Sequence, residues 1–281
     1  MANDVLLSII IVAYKSEATI LGCLNSIYNN GFNGNFEVMI VDNEPEGRTA
    51  SVVESSFGKR GNLYITRNSK NGGFGQGNNV GSDLAHGKYL LFLNPDTVLV
   101  DPILNRVVDI LNRKLDVSIV GCRLVSRNLK NVISFSVLPE HYSVLSSNKL
   151  RMLFLKFTDL LLKGHYPWGA FMAVRKKDFF NAGRFDEKFF LNFEEADLVH
   201  RLGNSYVYIL KERVIHDEGV SKNSSNVLEH YFISEKYYFS KYGETTYSKF
   251  KKTVLLRLAI KKRMFRCLTD HEREQIVRYA K

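Results

Sequence analysis

The chain has 281 residues, of which 45% are hydrophobic and 12% aromatic, enough to build one large core or a catalytic domain with an appendage, and too much to expect disorder. Its 39 lysines and arginines against 29 acids give a formal charge of +10, a balance that suits a phosphate-bearing substrate, anionic lipid or nucleic acid. The stretch from Lys241 to Lys281 holds 12 of the basic residues and 4 of the acids, hence +8 of the total; a nucleic-acid groove in the main body would need its basic residues there, so nucleic acid is not the expected partner.

The first half alternates β-rich apolar runs with helix-like segments. Strands are expected at Leu6 to Val12, Phe36 to Val41, Leu63 to Thr66 and Tyr89 to Leu93, and helices at Ala18 to Tyr28 and near Gln76 to Ala85. This order predicts parallel strands joined by crossover helices. The apolar opening Val5 to Ala13 has no basic leader and falls short of the roughly 18 residues that span a bilayer, so it reads as a buried strand. The second half is less regular, with a strand expected at Ala170 to Val174, a helix opening near Asn192 to Glu195, and strand-like runs at Tyr206 to Leu210 and Arg213 to Ile215. Lys251 to Arg266 is apolar between basic clusters, without a clean helical period. Cys23, Cys122 and Cys267 lie far apart in no metal-binding spacing, so neither a disulfide framework nor a zinc site is implied, and a cytoplasmic compartment is expected.

Ligands of open parallel sheets bind at the carboxyl ends of the strands. Those ends are Ala13 and Tyr14, Asp42 and Asn43, Asn68 to Asn71, and Asn94 to Asp96. Asp42 and Asn43 can hydrogen-bond a nucleobase or ribose, or simply form a turn. Asn71 to Gly81 carries five glycines, among them Gly73 and Gly75, and reads as a loop that brings backbone close to phosphate or sugar ahead of a helix N-terminus, with Asn78 inside it. In Leu91 to Thr97 the proline ends the strand and exposes Asp96, a carboxylate able to hold Mg²⁺ or Mn²⁺ beside a diphosphate, or else to cap the helix beginning near Pro102. Glu194, Glu195 and Asp197 open a helix in which Asn192 and Glu195 form a capping-box pattern and Asp197 can pair with Arg201. His216 follows a β-like run and is a possible metal ligand in company with Asp96.

Five motifs in order, Ile11 to Lys15, Val41 to Asn43, Asn71 to Gly81, Phe92 to Thr97, and Gly183 to Leu198 with Arg201, resemble the family 2 inverting glycosyltransferases, particularly the bacterial rhamnosyltransferase-like branch that builds surface polysaccharides such as O-antigen. The resemblance spans roughly residues 6 to 221. It implies a GT-A fold: a Rossmann-like α/β domain with a mostly parallel central sheet flanked by helices, about residues 1 to 225, its nucleotide-sugar half about 1 to 100 and its acceptor half about 101 to 225. A basic helical appendage, 226 to 281, would follow.

The resemblance also distributes roles. Ala13, Tyr14, Asp42, Asn43, Asn71, Gly73, Gly75, Asn78, Asn94 and Asp96 would contact the nucleotide sugar, with Asp96 and His216 on the metal. Glu195 would be the catalytic base, with Glu194 and Asp197 as alternatives, and Trp168, Gly169 and Ala170 would line the acceptor side. The implied reaction moves a sugar, rhamnose from dTDP-rhamnose in that branch or otherwise a UDP-hexose, to a glycan or polyprenyl-linked acceptor. Two departures from the family stand out: Asn94 replaces the leading acid of the Asp-x-Asp pattern, and Glu195 stands where relatives more often have aspartate. A sugar nucleotidyltransferase is the enzymatic rival, disfavoured because nothing basic lies from Asn71 through Leu84. The basic tail, 249 to 268, reads either as a peripheral anchor to anionic lipid on the inner face of the cell membrane or as a helix packed on the catalytic domain.

Overall fold

A computed structural model describes residues 4–58, 60–143, 149–203, 205–216, 225–265 and 270–280. The N-terminal third alternates as expected: β1 (Leu7–Ala13), α1 (Ile20–Tyr28), β2 (Phe36–Asp42), α2 (Arg48–Phe57), β3 (Leu63–Arg67), α3 (Gly73–Leu84) and β4 (Tyr89–Leu93). A short β5 (Thr97–Leu99), α4 (Leu104–Arg113) and β6 (Val117–Val125) follow. Next come β7 (Phe135–Val137), a 3-10 turn at Pro139–His141, α5 (Lys149–Phe154), β8 (Leu160–Leu162), β9 (His165–Pro167), β10 (Phe171–Arg175), α6 (Lys176–Asn181), α7 (Glu194–Arg201) and β11 (Tyr206–His216). Three helices close the chain: α8 (Ser225–Tyr242), α9 (Glu244–Phe265) and α10 (Asp270–Ala280).

Nine strands form the central sheet in the order β3-β2-β1-β4-β10-β6-β11-β5, with β8 also on β11. β3, β2, β1 and β4 are mutually parallel; β10 runs antiparallel between β4 and β6, so β6 and its parallel partner β11 point the same way as the first four. Six of the nine strands thus share one direction, and the reversed β10 joins a parallel half to a mixed half. β7 and β9 make a separate antiparallel pair.

Alternation along β1 sorts its side chains to two layers. Leu7, Ile9 and Ile11 join α1 and α4 in one cluster, while Ile10 faces a second cluster on the other side. That second cluster draws Phe92 from β4, Met172 and Val174 from β10, Leu198 and Val199 from α7, and also Phe232, Tyr238 and Phe239 of α8 and Phe250, Val254 and Leu258 of α9. The segment without a clean helical period is therefore a 22-residue helix, whose Phe250, Val254 and Leu258, four residues apart, supply a narrow buried stripe.

The glycine-rich segment differs from its reading as a loop. α3 starts at Gly73, and most of the run lies inside it. Gly73, Gly77 and Gly81, spaced by four, lie along one side of the helix. A Cβ would sit 2.2 Å from the Phe190 carbonyl oxygen at Gly73, 2.7 Å from Val12 at Gly77 and 2.4 Å from Ile10 Cγ2 at Gly81. Absence of side chains at Gly77 and Gly81 lets the helix lie against β1, and at Gly73 it admits the Phe190 carbonyl.

Gly81→Ala should therefore overpack the α3–β1 contact and cost about 1–3 kcal/mol, read as a lowered urea midpoint with an unchanged slope. An unaltered midpoint would mean that the helix does not rest this closely on Ile10.

Candidate functional site

The strand ends converge as the topology requires, but their side chains do not all face outward. Asp42 is fully buried, and its two carboxylate oxygens accept the amides of Glu44 at 3.0 Å and Ala50 at 2.7 Å. It braces the turn after β2 and the start of α2. Asn43 is equally buried: its amide bonds to the Ala13 carbonyl at 2.7 Å, and its side chain donates to the Gly73 carbonyl at 3.0 Å and accepts from Asn68 at 2.7 Å. Asn71 accepts from the Gly73 amide at 3.0 Å. The bonds of Asp42 and Asn43 form an inward network that ties the ends of β1, β2 and β3 to the start of α3. Gly73, Gly75 and Asn78 are buried as well, with Asn78 donating to the Phe74 carbonyl one turn back. Tyr14, 47% exposed, is open at this edge, as is the neighbouring Lys15.

Asn94 to Asp96 is built differently. β4 ends at Leu93, opposite Phe171 of β10, and the Asn94 amide donates to the Ala170 carbonyl at 3.1 Å. The Asn94 carbonyl in turn accepts the Thr97 hydroxyl at 2.8 Å, closing a tight turn around Pro95 and Asp96. Asp96 does not cap α4, whose N-cap is Ile103. Pairing of β5 with β11 sets Thr97 opposite His216, which places His216 Nε2 3.5 Å from Asp96 Oδ1 and 3.4 Å from Asn94 Nδ2. A bidentate ion pair keeps this register, since Asp101 accepts from the Arg213 backbone amide at 2.7 Å and from its guanidinium at 2.7 and 2.9 Å. Asp96 and His216, 120 positions apart in sequence, are in this way brought together, as the sequence expects of a metal pair.

Asp96 and His216 fit a divalent cation as a pair of donors, one carboxylate oxygen and one imidazole nitrogen, with Asn94 alongside. No third His, Cys, Asp or Glu joins them among the described residues. Such a site leaves most of the coordination shell to substrate diphosphate and water, which is how Mg²⁺ is usually held where phosphates are handled.

The acid cluster separates into three distinct environments. Asp197 is fully buried and fully engaged, accepting from Arg201 Nε at 2.8 Å, from Tyr242 Oη at 2.8 Å and from Lys241. Lys241 also bonds Asp186 at 2.8 Å, and Asp197 fastens α7 to α8. Glu194 is 2% exposed, and its Oε2 has no hydrogen-bond partner among the described residues. Burial, then the neighbouring Glu195 charge, pushes its carboxyl well above the usual glutamate range. Glu195 is only partly buried. Desolvation raises its carboxyl too, partly offset by the backbone amides of Glu195 and Gly169.

The capping box expected between Asn192 and Glu195 does not form. Asn192 and Phe193 both take left-handed backbone conformations, φ 70° and 72°, with Phe193 as the N-cap and no side-chain cap bond. Such conformations are uncommon outside glycine and persist where packing over-determines them. Here the Phe193 ring is fixed between Tyr231 and Tyr238, at centroid distances of 5.2 and 5.5 Å. Glu195 is thereby released from capping and turns to Gly169, whose amide donates to its Oε1 at 2.8 Å.

Trp168, Gly169 and Ala170 accordingly stand between the acid cluster and the end of β4. The Trp168 amide bonds the Ser134 carbonyl at 3.1 Å, and its indole N–H reaches Ser136 Oγ at 3.5 Å. Sequence reasoning named Asn68 as a strand-end residue and did not single out Lys241 or Asn79. The last accepts from the Phe185 amide and donates to the Phe185 carbonyl and to Glu187, locking the Gly183 to Leu198 motif onto α3. Asn68 lies at a strand end and was traceable by position; Lys241 sits in a long helix without any local signal.

The model of glycosyl transferase family 2 matches residues 8–180. The chain is 28% identical over 152 residues to an uncharacterized glycosyltransferase of Haemophilus influenzae, covering 52% of this chain and 50% of that protein, so it spans about half the length of this relative. It is 25% identical over 233 residues, 79% of this chain and 70% of the relative, to the GalNAc(5)-diNAcBac-PP-undecaprenol beta-1,3-glucosyltransferase of Campylobacter jejuni. Among solved structures, GalNAc-T7 with UDP, GalNAc and Mn²⁺ superposes with a TM-score of 0.59 at 14% identity, over 84% of this chain and 48% of that one. With the GT-A architecture and the strand-end motifs in place, the family match over most of the catalytic fold settles the classification: the chain belongs to glycosyl transferase family 2.

Proposed function

We propose that this protein is an inverting glycosyltransferase that moves a sugar from a nucleoside diphosphate sugar to a hydroxyl of a glycan or polyprenyl-linked acceptor, with Glu195 as base. The observation that carries the reading is the placement of Glu195 on the Trp168 to Ala170 segment, which is itself bonded to the Asn94 end of the turn that presents Asp96. A partly buried carboxyl with a raised pKa thus stands across one strand join from a carboxylate–imidazole pair.

In this mechanism the acceptor hydroxyl approaches the anomeric carbon on the face opposite the diphosphate. Glu195 takes the hydroxyl proton on the oxygen not bonded to Gly169 as the new C–O bond forms. The bond to the diphosphate breaks with its electron pair leaving on the diphosphate oxygen, through a transition state of oxocarbenium character like that of glycosidases. Asp96 and His216 would hold Mg²⁺ or Mn²⁺, which when bound neutralises charge on the departing diphosphate. Desolvation raises the pKa of the partly buried base, while the buried Glu194 beside it has no open face from which to accept a proton from a substrate.

For the donor, a UDP-hexose is favoured over the dTDP-rhamnose of the rhamnosyltransferase-like branch. The relative named as a beta-1,3-glucosyltransferase and the structural neighbour containing UDP support this choice. That relative's name also supports a polyprenyl diphosphate-linked acceptor. Peripheral attachment to an anionic membrane is supported by α9. Opposite its buried stripe it exposes Lys249, Lys252, Leu256 and Ile260, an apolar band with basic residues. No helix among the described residues is long and apolar enough to cross a membrane. Part of the basic stretch, residues 266 to 269, lies outside the described residues.

With a panel of UDP- and dTDP-sugars plus Mn²⁺ or Mg²⁺, one donor should be consumed, with chelator abolishing turnover. Glu195→Gln should lower kcat by at least about 10²-fold, and Asp96→Asn should weaken metal-dependent donor use. Because the base acts deprotonated and its pKa is raised, kcat should fall as pH drops through a value above the ordinary glutamate range. Full activity of Glu195→Gln, or an acid limb at an unperturbed glutamate value, would remove Glu195 from this role. For the membrane surface, flotation with anionic vesicles should be retained by the intact protein and weakened by Lys249→Glu with Lys252→Glu, at about 1 kcal/mol for each basic residue lost from the surface. Equal flotation of both proteins would exclude this face of α9.

A further inference from the structure

Gly169 is a glycine for a reason other than backbone conformation, since it is absent from the left-handed residues of the chain. A Cβ at this position would lie 2.5 Å from Glu195 Oε1 and 2.9 Å from Cζ of Phe74. The volume a side chain would need is therefore already taken by the carboxylate oxygen that the Gly169 amide binds at 2.8 Å. Phe74 is no easy escape route, because its ring packs edge-on against Phe185 at 5.7 Å, and Phe185 belongs to a ring cluster with Phe92 and Phe179. One residue further on, the Ala170 carbonyl holds the Asn94 amide. The three-residue segment is thus bonded on one side to the turn bearing Asp96 and on the other to Glu195.

We propose that Gly169 is a positioning residue for Glu195, and that positions 169 and 195 form a size-matched pair: the missing Cβ makes room for the longer glutamate side chain, and the amide holds one oxygen so that the other faces the acceptor. This rests on Glu195 being the base. The backbone alone supplies the bond, so no change of side chain at 169 can remove it without also intruding on the carboxylate. An aspartate at 195 would withdraw its oxygens by about one bond length and free the space beside Gly169. The amide donates to the ionised carboxylate and so favours its charged form. A displaced carboxylate should therefore hold its proton to higher pH.

The test is a cycle of four proteins: wild type, Gly169→Ala, Glu195→Asp and the double variant, each assayed for kcat, donor KM and pH dependence. Gly169→Ala should lower kcat by about 10²-fold, the scale of an ångström-sized misplacement, with donor KM changed less than about twofold and the acid limb moved to higher pH. The double variant should be at least about tenfold more active than Gly169→Ala alone, because the shorter acid relieves the clash. Independent multiplication of the two single effects, or loss of donor affinity in parallel with kcat, would overturn the pairing. A second readout needs no substitution: in the wild type the Gly169 amide proton resonance should titrate with the same midpoint as the acid limb of kcat. A resonance that does not move across that limb would overturn the proposal even if Gly169→Ala failed to fold. Glu195→Gln separates the two levels of the argument. If it is inactive while the cycle shows no coupling, the base assignment stands and the positioning role falls; if it is fully active, both fall.

Discussion

The Asn94 amide bonds the Ala170 carbonyl across the antiparallel join of β4 and β10, and the arrangement of the site depends on that join. β4 is the last strand of the parallel half, and its carboxyl end carries Asn94 to Asp96. β10 runs the other way, so the residues entering it, Trp168 to Ala170, meet the residues leaving β4. Had β10 been parallel, its exit rather than its entry would stand at that edge, and Gly169 would be a strand's length away. From this one reversal, Glu195 is reached through Gly169 on one side and His216 through the β5–β11 pairing on the other.

Rigid placement of α7 is the second requirement, and it is met by means that cost stability locally. Two consecutive non-glycine residues in left-handed conformations start the helix, each at a cost on the order of 1 kcal/mol or more. Asp197 is buried with its charge. What offsets these costs lies largely in α8: Tyr231 and Tyr238 against Phe193, and Lys241 and Tyr242 on Asp197. Without Lys241 and Tyr242 the buried Asp197 carboxylate would keep only Arg201 of its three partners, so removing them does more than trim a surface. The tail region beginning at α8 therefore cannot be deleted as an inert module. α9 continues the same core through Phe250, Val254 and Leu258.

Much of this was legible in the amino-acid sequence. The parallel strands of the first half announce themselves by apolar runs ending in Asp, Asn or Pro, and β4 falls at Tyr89–Leu93 as read. Asp96 and His216 were paired in the reading and are paired in the fold. Asp42 and the glycine run show what the sequence leaves open: residue type and strand-end position do not say whether a group faces outward or bonds the backbone beneath it. Asn71 to Gly81 has a composition equally suited to a phosphate loop and to a helix pressed on a sheet, and the fourfold spacing of Gly73, Gly77 and Gly81 is the feature that favours the latter. The capping pattern at Asn192 failed because tertiary packing of Phe193 overrode a local preference. α9 lacked a visible period because, among its described residues, only Phe250, Val254 and Leu258 are buried, while Leu256 and Ile260 are apolar on the exposed side. The bond from Gly169 to Glu195 links residues 26 apart and has no local signature.

The central claim is that a single base, Glu195, serves a direct displacement across the β4–β10 join. Its most direct test is the anomeric configuration of the first product, read by proton NMR during turnover of an α-linked nucleotide sugar before mutarotation or further reaction. The account predicts a β-linked product, with the large anomeric coupling of a trans-diaxial arrangement if the sugar is glucose. An α-linked product would mean retention, which a single displacement from the face opposite the diphosphate cannot give, and would contradict the account.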